Sequence, residues 1–223
     1  MNNAMQEYIT TLQQAAPFLL NGALITLQLW VATLIISLTI GTLFGVLRCN
    51  KLRIPVVSLL LDGITLILRG VPYYLQLMIA YFVLPEMLNI NLSPFMAATY
   101  SLGFCSAAYI SQSVRSGINS IPLGQWEAAT VLGFTVPQAV RFIILPQMLR
   151  NVLPTITSEL DQTIKTTSLV STIGVIELTG ACRNIIAQQM NPLTMYGSIA
   201  IIYLIFSLVL NGIGAYIERR LRS

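Results

Sequence analysis

The sequence predicts an all-α integral membrane protein: one domain over residues 1–223, with five transmembrane helices and a single polar helical elbow on the cytoplasmic side. Three observations predict it. Of the 223 residues, 55% are hydrophobic and only 9% charged, whereas a soluble domain carries roughly 25% charge. Apolar stretches close to the roughly 20 residues needed to cross a bilayer recur along the chain. The cations sit in small groups beside those stretches, where they report topology; the net charge of +4 forms no continuous basic face, and a nucleic-acid partner is excluded.

The spans are expected at about 17–47, 70–85, 94–117, 148–175 and 194–217, with the elbow over 119–146. Residues 1 to 16 are polar and carry Glu7 but no Lys or Arg, so they lack the basic region of a cleaved signal peptide. The first apolar stretch runs from Pro17 to Leu47. It exceeds one perpendicular crossing, and its start is expected along the interface. Gly41 and Gly45 form a GxxxG, which permits close approach of another helix of the same subunit. Arg48, Lys51 and Arg53 then mark a cytoplasmic turn.

From Ile54 to Leu84 the chain is apolar again, but Gly70 and Pro72 break it. A helix near the cytoplasmic face is expected before the break and the second span after it. Asp62 and Arg69 lie seven apart, on one helical face, so Arg69 either pairs with Asp62 or snorkels to headgroups, or else serves the pathway. Ser93-Pro94 starts the third span by N-cap and first-turn proline. The middle of that span is small and polar (Ala97, Ala98, Ser101, Gly103, Ser106, Ala107, Ala108, Ser111), which suits a helix packed inside a bundle or beside a water-filled path.

In the fourth span Glu159, Asp161 and Lys165 stand at membrane depth, where each charge costs roughly 2.5–3.5 kcal/mol. Asp161 and Lys165 are four apart and can pair along the helix. Glu159 has no local cation, and is either a substrate-facing carboxylate or the partner of an arginine from another helix. A polar stretch with Glu177 and Arg183 is expected to continue outside until Pro192, before the last span. Cys49, Cys105 and Cys182 show no paired spacing, and without histidine no metal or haem site is expected.

The elbow is the most informative stretch. Pro122 suits a first helical turn, Trp126, Ala129, Thr130 and Gly133 share one face, and Gly133 is placed as the left-handed stop. Thr135-Val-Pro-Gln138 then has the spacing of a capping box and opens a second helix. Residue chemistry alone leaves open an ordinary amphipathic linker.

The full pattern, however, resembles the EAA loop of membrane subunits of ABC importers. Glu127, Ala128 and Ala129 are followed by Gly133, and nine residues later come Ile143, Leu145 and Pro146. Leu68-Arg-Gly-Val-Pro-Tyr-Tyr-Leu-Gln76 resembles the Arg-Gly-Thr-Pro…Gln segment of the polar amino-acid branch, with Val71 in place of Thr. Glu159 to Gly174 resembles a third segment of that branch, keeping Lys165, Thr167, Ser168, Leu169, Val170, Ser171, Ile173 and Gly174, with Ser158 where Asn is usual.

The resemblance implies a type I ABC importer permease in a bacterial inner membrane. It implies docking of an ATPase subunit on Trp126, Glu127, Ala128, Ala129 and Gly133, and a translocation pathway near Arg69, Gln76, Glu159, Asp161 and Lys165. The implied partners are that ATPase, a second permease copy or paralogue, an extracytoplasmic binding protein, membrane lipid and an amino-acid substrate, polar and, from Glu159, possibly cationic. The chain has no Gly-x-x-x-x-Gly-Lys-Ser/Thr, so no nucleotide or other cofactor is expected on it; ATP and magnesium belong to the partner, and the chain is not itself an enzyme. Ten of its twelve cations fall on or near one face, which places the N-terminus outside and the C-terminus and elbow inside. A channel working without ATP, or a structural half of a heterodimer without a substrate site, are the competing readings.

Overall fold

The computed structural model describes residues 2–50 and 54–222, and all its regular structure there is helical. Lys51 and Arg53, used above for orientation, lie outside the described residues. The helices are α1 (Asn2–Leu47), α2 (Pro55–Gly70), α3 (Tyr73–Leu88), α4 (Pro94–Asn119), α5 (Leu123–Val131), α6 (Val136–Ile173), α7 (Leu178–Gln189) and α8 (Pro192–Arg222). Residues Thr10–Leu47 of α1 and Pro192–Leu221 of α8 are each long and apolar enough to cross a membrane. The pairs α2 with α3 and α6 with α7 meet that measure jointly. α4 has the length but not the apolarity, because alanine, serine and glycine fill its middle.

Proline writes the irregularities. Pro85 lacks an N–H, and the turn before it, Ile79–Val83, opens to π geometry; Val140–Ile144 does the same ahead of Pro146. The helix of the expected second span runs past residue 85 to Leu88 and stops at Asn89, which takes a left-handed φ of 51°. The fourth helix likewise starts before residue 148, directly from the elbow at Val136. The polar stretch around Glu177 and Arg183 folds as helix α7, with Glu177 as its N-cap.

The chain divides into two compact units and passes between them at residues 34/35, 72/73, 102/103, 160/161 and 209/210. The first unit comprises Met1–Leu34, Tyr73–Leu102 and Asp161–Val209; the second comprises Ile35–Pro72, Gly103–Leu160 and Leu210–Ser223. Two apolar cores build the first unit. One gathers Leu19, Leu178, Cys182 and Met195, the other Leu29, Leu77, Leu102 and Val170.

A single core of Cys49, Ile110, Val114, Ile118, Ile121, Trp126, Ile144, Met148 and Val152 builds the second unit. There α1 meets α4 through the expected GxxxG. A methyl group on Gly41 would stand 2.8 Å from the Ala107 carbonyl oxygen, and one on Gly45 would stand 2.6 Å from Val114 Cβ. Ala97, Ala98, Ser106, Ala107, Ala108 and Ser111 are all buried, so the small residues of α4 serve tight packing. The three cysteines are buried, and none of them is in a disulfide.

Candidate functional site

The elbow folds as its sequence demands. Pro122 is the N-cap rather than the first helical residue of α5. At the other end, Gly133 takes φ +78°. The Phe134 N–H donates to the Ala129 carbonyl and the Gly133 N–H to that of Thr130, both at 3.0 Å, which closes a Schellman stop. The next helix then opens on the expected box, with the Thr135 N–H donating to Gln138 Oε1 at 2.9 Å.

This geometry divides the elbow's side chains. Trp126 and Ala129 turn into the second unit's core, while Glu127 and Ala128 are exposed. The surface tryptophan implied by the motif is thus an anchor, only 8% exposed, with Ile118, Ile121 and Met148 in its core. Around Glu127 lie Val131, Leu132, Phe134 and Val136, all exposed and apolar. A small depression of about 170 Å³ opens among Trp126, Glu127, Thr130, Phe134, Val136 and Ala139. A helix that exposes one acid, one alanine and an apolar rim is suited to receive another protein.

The charges in the helices are resolved by partners distant in sequence. Arg48, predicted as a topology marker, is 4% exposed. Its Nε and Nη2 both reach Asp62 Oδ1 at 2.7 Å, and its Nη1 donates to Ser111 Oγ at 2.8 Å. Arg115 Nη1 shares the same Asp62 oxygen at 2.8 Å. Asp62 therefore pairs with Arg48 and Arg115, not with Arg69 as one reading of the heptad spacing had it. Arg69 is half-buried; its carbonyl accepts from the Tyr109 hydroxyl at 3.3 Å, and its Nε is buried without a hydrogen bond.

In the first unit Lys165 Nζ sits 2.6 Å from Asp161 Oδ2, the i,i+4 pair read from the sequence. Asp161 Oδ1 accepts from Ser207 of α8. Gln76 is half-buried on α3, and Glu159 is half-buried in the second unit, two residues before Asp161.

A second carboxylate escaped the sequence reading. Glu177 is fully buried. It caps α7, its Oε1 accepting from the Gly180 N–H at 2.8 Å and its Oε2 from the Thr179 N–H at 3.0 Å. The Tyr203 hydroxyl of α8 adds a third bond at 3.0 Å. Thr26 of α1 completes the knot, accepting from the Leu178 N–H at 3.1 Å with its hydroxyl 3.4 Å from Glu177 Oε2. One signal was available: a carboxylate just before an Ala-Cys-Arg helix is an N-cap, and helix N-termini favour negative charge.

With the elbow and the paired charges in place, comparison with known proteins decides the family. Residues 37–223 match the model of the binding-protein-dependent transport system inner membrane component family. The chain belongs to that family, one of membrane transport permeases. It is 36% identical over 207 residues to the arginine transport system permease protein ArtQ of Bacillus subtilis, covering 93% of this chain and 94% of the relative. It is 35% identical over 215 residues to the glutamine transport system permease protein GlnP of Escherichia coli K12, with the same coverage. In fold the permease is similar to a chain in the crystal structure of an amino acid ABC transporter with histidines: TM-score 0.86 and 28% identity over 95% of this chain and 97% of that one. Transport permeases of this kind work with an ATPase and other subunits, and the apolar helices of this chain are those of an inner-membrane component.

Proposed function

We infer that this chain is the permease subunit of an ATP-driven ABC importer and moves a polar amino acid by alternating access. The elbow carries the inference. It presents Glu127, Ala128 and an apolar rim on a helix fixed at both ends, anchored by Trp126 and Ala129 to the core that also holds Met148 and Val152 of α6. A force applied to that surface by a separate ATPase passes directly into a long helix. The reading comprises one domain of five spans, near 17–47, 70–85, 94–117, 148–175 and 194–217, with the N-terminus outside and the C-terminus and elbow in the cytoplasm.

ATP and magnesium are assigned to the ATPase subunit and no cofactor to this chain. A second permease, identical or related, completes the pathway, and an extracytoplasmic binding protein delivers the substrate. Trp126, Glu127, Ala128, Ala129 and Gly133 form the docking element, Trp126 and Ala129 from beneath. Arg69, Gln76, Glu159, Asp161 and Lys165 are assigned to the pathway, with Asp161 and Lys165 neutralising each other.

The test is co-purification of the chain with its neighbouring subunits, followed by ATPase and uptake measurements in liposomes with binding protein and a panel of amino acids. An ATPase stimulated by one class of amino acid is the expected result. A chain that purifies alone and passes solute without ATP would establish a channel instead.

The similar permeases are named for a cationic and for a neutral amino acid. The half-buried Glu159 favours the cationic class by charge complementarity. Glu159→Gln is expected to lower uptake of cationic amino acids about tenfold more than that of neutral ones, the weight of one charge-assisted contact. Equal loss for both removes Glu159 from substrate selection and fits a structural half of a heterodimer.

A further inference from the structure

The transport cycle inferred above makes no use of Asp62. Its carboxylate nevertheless joins three helices of the second unit: Arg48 follows α1, Asp62 is in the middle of α2, and Arg115 and Ser111 are on α4. Helix α2 has little else to hold it. Its only buried residues are Ser58, Leu61 and Thr65, and Thr65 spends its hydroxyl on its own helix. Val56, Leu59, Leu60, Leu66 and Ile67 all face outward. Beyond the carboxylate, two polar ties hold α2: the Ser58 hydroxyl donates to the Leu47 carbonyl at 2.8 Å, and at the far end the Tyr109 hydroxyl of α4 donates to the Arg69 carbonyl at 3.3 Å.

The cationic side of this junction is seated firmly. Arg48 is followed by Cys49, and Cys49 shares one core with Ile118, Ile121 and Trp126, the anchor of the elbow. Close-packed cores shift as bodies and do not deform continuously. A displacement of the elbow therefore carries Arg48 with it, and Arg48 holds α2 by its Asp62 contacts. The far end of α2 is Arg69-Gly70, which leads into Val71 and Pro72.

We propose that Asp62 is a positioning residue for transport: it clamps α2 to the body that bears the elbow, so that the Arg69-Gly70-Val71-Pro72 turn moves when the ATPase moves. The proposal rests on the importer reading. It predicts a phenotype distinct from that of the elbow, because the ion pairs of Asp62 run to Arg48 and Arg115 and not to α5, and docking is left intact.

The experiment uses the complete transporter in liposomes with its binding protein and arginine or glutamine as probes, and measures amino acids moved per ATP hydrolysed. Asp62→Asn keeps the shape and removes the charge. It is expected to leave the ATPase co-purifying and stimulated by loaded binding protein, while the transport ratio falls about tenfold. Arg115→Gln, at a half-exposed partner, is expected to lower the ratio less, and it decides the question if Asp62→Asn does not assemble.

A parallel fall of uptake and ATPase activity in an assembled complex, or an unchanged ratio in both variants, overturns the proposal. A wild-type complex with no ATP-driven uptake defeats the importer reading instead, so the two failures are separable.

Discussion

The two units solve one problem, a carboxylate inside apolar helices, by different means. In the second unit Asp62 is neutralised by two guanidiniums brought from α1 and α4. In the first, Glu177 meets no cation among the described contacts; two backbone N–H groups of α7 and the Tyr203 hydroxyl hold it, at the positive end of a helix dipole. An ion pair joins two helices through flexible side chains, so it keeps them together while its own geometry adjusts to their movement. A carboxylate locked onto backbone donors is fixed to the helix that it caps. The first arrangement suits the unit that carries the elbow, and the second suits a static joint between α1, α7 and α8.

That contrast breaks most severely at Glu177. Glu177→Ala leaves the Gly180 and Thr179 N–H groups without their acceptor, at roughly 1–3 kcal/mol each, and leaves the Tyr203 hydroxyl with Thr179 Oγ1 at 3.2 Å as its partner. The expected outcome is a transporter that accumulates poorly in the membrane or loses several degrees of melting temperature in detergent, with uptake and ATPase falling together. Retention of full stability would mean that α7 is held by Leu178, Cys182 and Ile185 alone. The parallel loss is what separates this joint from Asp62, where the ratio of transport to hydrolysis is the quantity expected to change.

The α1–α4 contact in the second unit ranks next. A side chain at Gly45 meets Val114 and the Ser111 carbonyl oxygen at 2.6–2.8 Å, and the second of these is backbone that cannot turn aside. Gly45→Leu is expected to cost about 1–3 kcal/mol by overpacking. It also displaces Ser111, one of the groups holding Arg48. Measured melting of the detergent-solubilised complex checks the stability, and a fall in transport per ATP beyond that of an equally destabilising change elsewhere would tie the contact to the Asp62 clamp.

The elbow was legible in the sequence because its signals are local. Thr135 and Gln138, Gly133, and the Glu127-Ala-Ala129 run each act over three or four residues, and each takes its expected conformation. The pair Asp161–Lys165 was legible for the same reason. The GxxxG at Gly41 and Gly45 announced a contact but not its partner. Arg48 was read as a topology marker because a cation after an apolar run usually is one; only α4, 63 residues further on, shows that it is buried. Glu177 was read only as part of a polar stretch, because its partner Thr26 lies 151 residues away. Local hydrogen bonding and periodicity are written in the sequence, whereas a partner for a buried charge is decided by packing.

The smallest expected effect belongs to Gly133, and it tests whether the elbow is the mobile part of its unit. Nothing lies within 4 Å of a side chain built there, so substitution acts through the backbone alone, which sits at φ +78°. Residues with a Cβ resist that region by roughly 1–2 kcal/mol, and asparagine resists it least. Uptake coupled to ATP hydrolysis is therefore expected to fall in the order Asn, Ala, Val at position 133, while the amount of chain in the membrane stays constant. The strain is confined to the turn between α5 and α6, where it reorients Glu127 and the apolar rim without disturbing the core beneath Trp126. Were Gly133→Val to lower membrane abundance as well, the elbow would be part of what folds the second unit. Were Gly133→Asn as harmful as Gly133→Val, the glycine would be needed for space left to a docked partner, and the surface around Val131 and Phe134 would extend over the turn itself.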